Sequence, residues 1–420
     1  MRARGNSQTC VTQRKCRLDT EVVSGMRKKV LLIGNSDLVI YNFRRELVER
    51  LLEEGYEVHI ALPYGKKVDY LKELGCHFVD IPTDRRGTNP IKDFVLLKKY
   101  IQCMRKIRPD IVLTYTIKPN IYGGLAAQIL GIPYVANITG LGSAVENPGP
   151  VQKVTVGLYR LAFRKVDCVF FQNEENRQFF EKRHIAMGKH KMLPGSGVNL
   201  EQFHVTKYPS DDTLEFLFMA RVMKEKGIDE YLETAKVMRK KYPYTRFHVL
   251  GFCEEEYEQK LKELEDQGII QYHGMQRDIR PFVEQSHCTI HPSYYPEGMS
   301  NACLETEACG RPVITTTRSG CRETVEDGRT GFLFEAKKMD QLFDRVEQFI
   351  QMSNKDRERM GLNARRRVER KFDRRIVVDK YMDEIQQLTG LTKQQVFVME
   401  ERETVRVSAR SQAEKIEAKV

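Results

Sequence analysis

Apolar and polar residues alternate along this chain in short blocks that carry two different periods. KKVLLIG (28–34) is an unbroken aliphatic run closed by glycine, and the stretch from about Tyr41 to Gly55 places Phe43, Leu47, Leu51 and Leu52 at helical intervals. A buried strand followed by an amphipathic helix is the expectation. The alternation then repeats through YEVHIAL, a helix up to Gly75, HFVDIP, a long helix over 90–107, DIVLTY, a helix ending at Gly131, YVANITG and DCVFFQN. Strands that are apolar throughout, separated by helix-length segments, imply a parallel sheet covered on both faces.

The rhythm pauses in the glycine-rich LPGSGVNLEQF (193–203). It resumes with LEFLFMAR (214–221), a helix from Ile228 to Arg239, RFHVLG, IIQYHG, CTIHPS, a helix starting near Ser300, PVITT, GFLF and a terminal helix from about Met339. The break near 195–210 divides the α/β chain into two Rossmann-like doubly wound domains, 27–200 and 201–390, with the terminal helix crossing back to the first. Two such halves present ligands in the cleft between them, at the carboxyl ends of their strands. Residues 1–26 and 391–420 are polar or charged with weak periodicity, and are expected to be a disordered N-terminal extension and a charged tail. Met26 directly precedes the first strand, so translation from there would lose nothing that folds.

A length of 420 residues and a mass of 48.9 kDa agree with two cores. No uninterrupted apolar run is long enough to span a bilayer, and the basic, polar first 25 residues do not resemble a secretory signal, so a cytoplasmic protein is expected. The ten cysteines form no CxxC pair and are expected to be reduced thiols; the nine histidines form no HExxH or other ligand-spaced cluster, so no metal is expected. Charge changes the picture more. Residues 1–199 hold 32 Lys and Arg against 19 Asp and Glu, a net +13, more than the +11 of the whole chain. The first half therefore faces something anionic.

Candidate chemistry is densest in PEGMSNACLETEACGRPVITT (296–316). Ser300 is a good N-cap, Gly310 and Pro312 supply a stop, and free amides at Met299, Ser300 and Asn301 at the positive end of the helix dipole would make an anion site. Glu297 and Glu305 are eight positions apart, about 12 Å of helical rise, roughly the reach from a ribose to the sugar of a sugar nucleotide. Two glutamates near a helix start also simply complement its dipole. Upstream, MARVMKEKG (219–227) sets Arg221 at the end of a strand and Lys226 before a glycine and a helix, where two cations can grip a diphosphate; alone, such residues are usually just solvated.

Arg221-x4-Lys226-Gly227, HGMQRDI (273–279), HPSYYPEG leading into Glu297-x7-Glu305, and GCRETVEDGRTGFLF together resemble, in order and spacing, the retaining GT-B-fold glycosyltransferases of group 1, family 4. The likeness covers roughly residues 27–385. TYTIKPNIYGG, NITGLGSAVEN, LPGSGVNLEQF and GMSNACLETEACGRPVITTTRSGCRE look most similar to bacterial enzymes that add galactose or N-acetylgalactosamine to lipid-linked sugars of surface polysaccharides. The resemblance implies a GT-B fold and a UDP-sugar donor, with no cofactor. By the same resemblance Arg221 and Lys226 bind the donor diphosphate, Glu297 touches the sugar or its phosphate, Glu305 holds the ribose, and Met299, Ser300 and Asn301 complete the phosphate cradle. Lys118, Gly140 and Gly142 approach the cleft, and Asn35 or Asp37 lies near the acceptor. Many relatives carry a bulkier glycine-aromatic pair where this chain has Gly298-Met299-Ser300-Asn301. No covalent nucleophile is identifiable in the first half, so front-face displacement without a metal is expected. GNSDL after the first strand lacks the GxGxxG of nicotinamide enzymes.

IKDFVLLKKYIQCMRKIR (91–108) sets Ile91, Phe94, Val95, Leu97, Ile101 and Met104 among six cations. A crossover helix with one buried face explains that pattern simply. The basic half adds a second reading, association with the cytoplasmic face of the plasma membrane to collect a polyprenyl-diphosphate-linked saccharide acceptor. Nucleic acid is not expected as a partner, since no binding module or interleaved aromatic stripe occurs. Two rival functions remain at this level: a UDP-sugar epimerase of the same architecture, for which no acid/base pair stands out, and a non-catalytic nucleotide-sugar-binding subunit.

Overall fold

The computed structural model describes residues 27–84, 89–146 and 148–390; the expectations for 1–26 and 391–420 lie outside them. One sheet holds β1 (Lys29–Ile33), β2 (Glu57–Leu62), β3 (His77–Asp80), β4 (Ile111–Tyr115), β5 (Tyr134–Ile138), β6 (Cys168–Phe171) and β7 (His190–Met192). Its order is β3-β2-β1-β4-β5-β6-β7. The other holds β8 (Leu214–Met219), β9 (Thr245–Leu250), β10 (Gln271–Tyr272), β11 (Cys288–His291), β12 (Val313–Thr316) and β13 (Gly331–Phe334), in the order β10-β9-β8-β11-β12-β13. The ladders are parallel, with Val30 opposite both Val58 and Ile111, and Phe216 opposite both Phe247 and Cys288. In each sheet the order reverses beside the first strand, between β1 and β4 and between β8 and β11. That reversal defines a doubly wound, Rossmann-like sheet, and ligands bind at such switch points. The expected fold class is borne out.

By compactness the chain falls into two units. Unit one comprises the described residues within Met1–Thr114, Tyr122–Val135 and Tyr381–Val420; unit two is Tyr115–Ile121 and Ala136–Lys380. In unit one, Val30 to Ile33 are fully buried, as expected of a central parallel strand. The helix anticipated from Tyr41 to Gly55 is in fact two, Asp37–Phe43 and Arg45–Glu53. The break falls at Arg44, which is 2% exposed, donates to the Phe43 carbonyl at 2.5 Å and lies over the Tyr381 ring. Helix Pro90–Ile107 has the anticipated bounds because Asn89 Oδ1 caps the amides of Ile91 and Lys92 and Pro90 starts the first turn. Its buried face differs from the anticipated apolar set: Leu96, Tyr100, Cys103, Met104 and Ile107 point inward, while Ile91, Phe94 and Val95 stay exposed.

In unit two the period of β8 divides its core. Phe216 and Phe218 join Tyr231, Phe247 and Phe349 on one face, whereas Leu217 and Met219 join Leu250, Met299 and Leu304 on the other. The stretch IIQYHG contributes only the two-residue β10. The single terminal helix expected from Met339 is three: Met339–Gln351, Asn354–Lys371 and Arg374–Thr389. Ser353 caps the second through the Asp356 amide, and a bridge between Val198 and Asp373 draws the chain aside before the third. Eight cysteines among the described residues are free thiols, seven of them buried. No helix among the described residues is long and apolar enough to cross a membrane.

Candidate active site

Arg221 follows β8 and Glu297 follows β11, so neighbouring strands bring the two loops together at the switch point of the second sheet. Lys226 ends a one-turn 3₁₀ helix, Lys224–Lys226, and Gly227 follows with φ +79°. A Cβ at Gly227 would lie 2.3 Å from the Pro292 carbonyl oxygen, so only glycine lets this turn rest on the end of β11. The Tyr294 amide donates to the Glu225 carbonyl at 2.9 Å and fastens the second loop to the first.

Lys226 forms an ion pair with Glu297, and both side chains are 12% exposed. Arg221 pairs with Glu254 and is 32% exposed. The guanidinium of Arg221 and the ammonium of Lys226 lie 5.1 and 4.9 Å from the centre of the Tyr295 ring, which draws both cations to one place. Burial pushes Lys226 down to about 8, and the Arg221 charge adds to this against an upward pull from Cys321. His291, 1% exposed, is pushed down to about 3, first by burial and then by Lys226. It is therefore neutral beside Glu297, 4.0 Å away, and its Nε2 meets Ser300 Oγ at 3.2 Å.

The helix begins as anticipated: Ser300 is the N-cap of Asn301–Ala308 and accepts from the Cys303 amide. The three amides of the expected cradle are not all free, however, because the Ser300 amide donates to the Gly320 carbonyl at 2.7 Å. Met299 turns its side chain into the core, 6% exposed, leaving only its backbone toward the loop. Glu305 sits on the second turn; burial pushes its carboxyl up to about 7, opposed by Arg374. Arg374 is itself held by the Gly197 carbonyl at 3.1 Å. The structure thus joins Arg221, Lys226, Glu297, Ser300 and Asn301 in one place and sets Glu305 one turn deeper.

Gly140 also reaches this loop: a Cβ there would stand 2.9 Å from the Pro296 carbonyl oxygen. Gly142, with φ +67°, instead packs on Ile117, next to the half-buried Lys118. Asn35 and Asp37 belong to unit one. The Asp37 carboxylate accepts from the Lys67 amide at 3.0 Å and fills the space over Gly65, which gives it a structural task, while Asn35 Oδ1 is buried with no hydrogen-bond partner among the described residues.

Several site residues escape sequence reasoning. Asn173 looks like an ordinary N-cap, and its Oδ1 does accept from the Asn176 amide at 2.8 Å. Its Nδ2 donates to two successive carbonyls, Glu297 at 3.0 Å and Gly298 at 2.6 Å, and the residue is 1% exposed. The Gly298 amide donates to the Thr139 carbonyl at 3.0 Å, and a Cβ on Gly298 would strike Gln172 and Thr139. The peptide carrying Glu297 is thereby gripped on both sides. His291, Tyr295 and Gly320 lie inside the motifs HPSYYPEG and GCRETVEDGRTGFLF without being singled out there, and Glu254 gave no signal.

Fold and site together define a two-domain α/β protein of the GT-B kind, with a pair of loops at a sheet switch point that carry Arg221, Lys226 and Glu297. Residues 29–173 match the glycosyl transferase 4-like family and residues 201–367 the glycosyl transferases group 1 family, and the chain belongs to these glycosyltransferases. It is similar to N,N'-diacetylbacillosaminyl-diphospho-undecaprenol alpha-1,3-N-acetylgalactosaminyltransferase of Campylobacter jejuni, with 24% identity over 84% of this chain and 97% of that one. It is also similar to UDP-Gal:alpha-D-GlcNAc-diphosphoundecaprenol alpha-1,3-galactosyltransferase of Escherichia coli, with 25% identity over 80% of this chain and 90% of that one. The crystal structure of a Rickettsia africae glycosyltransferase shares the fold, with a TM-score of 0.73 at 18% identity over 87% of this chain and 100% of that chain. Anabaena HepE, solved with UDP and glucose, does so with a TM-score of 0.70 at 18% identity and the same coverage.

Proposed function

We propose that this glycosyltransferase moves a hexose or N-acetylhexosamine, galactose or N-acetylgalactosamine, from a UDP-sugar to a polyprenyl-diphosphate-linked saccharide, retaining the anomeric configuration and using no metal. The observation that carries the reading is the pair of cations, Arg221 and Lys226, drawn to one aromatic ring beside Glu297 at a helix N-terminus. The donor diphosphate takes over the charges now shared with Glu254 and Glu297, and the glycosidic carbon–oxygen bond breaks with its electron pair leaving on UDP. The acceptor hydroxyl attacks the anomeric carbon from the same face and passes its proton to a departing phosphate oxygen. Fixed cations stabilise the charge that develops on the leaving group. Glu305 accepts hydrogen bonds from the ribose diol.

The acceptor class is supported by the two relatives, whose names specify diphospho-undecaprenol substrates. A peripheral position on the cytoplasmic leaflet is supported by helix Pro90–Ile107, where Ile91 is 75%, Phe94 56% and Val95 45% exposed between lysines. The test is UDP release from UDP-sugars with a lipid-linked saccharide, with EDTA present and the product anomer read by NMR. Lys226→Ala should lower kcat by about a hundredfold with a smaller change in donor affinity, and Glu305→Ala should weaken UDP binding by about tenfold. Unchanged kinetics in both variants would reject the site, and sugar interconversion without acceptor would mark an epimerase instead.

A further inference from the structure

The structure assigns a second, independent site to unit one: Glu57, His59 and His77 form a binding site for one divalent transition-metal ion of the zinc or nickel type. Strands β2 and β3 pair in parallel with His59 directly opposite His77. Glu57 precedes His59 by two residues, so the pleat puts all three side chains on one face of the sheet. The two imidazoles stand 4.8 Å apart, centre to centre, at 26°. His59 Nε2 lies 2.7 Å from Glu57 Oε1. One donor atom from each residue falls within 4.8 Å of the other two. Two imidazole nitrogens and a carboxylate are the donor set that borderline divalent cations prefer, and three protein ligands leave a coordination position for water. Burial is graded to suit: His59 is buried, Glu57 half-buried and His77 exposed, so the cluster is held from below and open above.

The neighbouring charge is Lys29 on β1, opposite Glu57 in register, with Nζ 3.4 Å from Glu57 Oε1. It orients the carboxylate toward the histidines and competes with the ion for it. A divalent ion outbids a single ammonium here because it also gains both imidazoles. A similar trio in unit two, Glu215, His248 and His273, does not make a site. There His248 has both ring nitrogens hydrogen-bonded, Nε2 with Glu215 at 2.7 Å and Nδ1 with His273 at 2.9 Å, so an ion would have to break a bond between the imidazoles themselves. The site lies on the sheet edge formed by β3, and an ion would clip that edge strand to its neighbour.

Calorimetric titration of the untagged, chelator-treated full chain with zinc chloride and nickel chloride tests this, with cobalt absorption and the melting temperature as second readouts. One ion per chain, a visible cobalt band and a raised melting temperature are expected. His77→Ala, at an exposed position, should weaken binding by at least about tenfold, Glu57→Gln should act in the same direction, and His273→Ala should leave binding unchanged. Zero stoichiometry, binding undiminished in His77→Ala, or loss of the same binding in His273→Ala would each overturn the assignment.

Discussion

Lys226 and Glu305 hold opposite charges under opposite constraints. Burial pushes the ammonium down to about 8, so its positive charge is present below that pH and lost above it. Burial pushes the carboxyl up to about 7, so its negative charge is present above that pH and lost below it. If donor capture needs both charges, kcat/KM rises with pH through about 7 and falls through about 8, a narrow bell. Lys226→Arg should move the alkaline limb upward and Glu305→Gln should remove the acid limb. The profile of kcat should be broader, because bound diphosphate favours the ammonium. A kcat/KM profile flat from about pH 6 to about pH 9 would contradict these assignments. Asn173 acts at one remove, through the peptide that carries Glu297. Asn173→Asp keeps the acceptor that caps the helix Glu174–Glu181 but loses the donors to the Glu297 and Gly298 carbonyls. Kcat should fall by about tenfold while donor binding and helix content hold, since losing buried hydrogen bonds costs about 1–3 kcal/mol. A change in donor affinity with kcat intact would show a different role.

Among the elements, helix Pro90–Ile107 shows most clearly what periodicity conveys. Its bounds agree with the periodicity, and they are fixed by Asn89 and Pro90, which cap and open it, and by Arg108, whose φ of +54° closes it. Its inward face was not legible, because buried Leu96, Tyr100, Cys103 and Ile107 lie outside the anticipated apolar set, whereas exposed Ile91, Phe94 and Val95 lie inside it. The error leaves Ile91, Phe94 and Val95 on the surface with Lys92, Lys98 and Lys99, and Lys98 lies 4.6 Å from the centre of the Phe94 ring. Phe94→Glu should therefore reduce binding to vesicles containing anionic lipid several-fold and leave turnover on a water-soluble acceptor unchanged. Equal vesicle binding by the variant would remove this helix as the contact.

At the scale of the molecule, the alternation of strand and helix made both doubly wound sheets legible, because parallel strands are apolar throughout and their crossovers are helical. The identity of Arg221, Lys226, Glu297 and Glu305 as candidates came from spacing within short segments. What stayed hidden depends on separation in the chain. The amide of Asn173 meets carbonyls 124 and 125 residues away, and Lys226 meets a carboxylate 71 residues away. Of the two breaks that make three helices of one, the first falls at a local cap, Ser353, and the second at a bridge to Val198, which no local pattern encodes.

Unit one gathers both ends of the described chain: Gln386 Nε2 donates to Glu54 Oε2 at 3.0 Å, across 332 residues. During synthesis, which runs from the amino terminus, that partnership has to wait until the ribosome has passed through the whole of unit two. The unit begun first is thus completed only after unit two, and until then its early strands depend on chaperones or on their own partial packing to avoid sticking to other nascent chains.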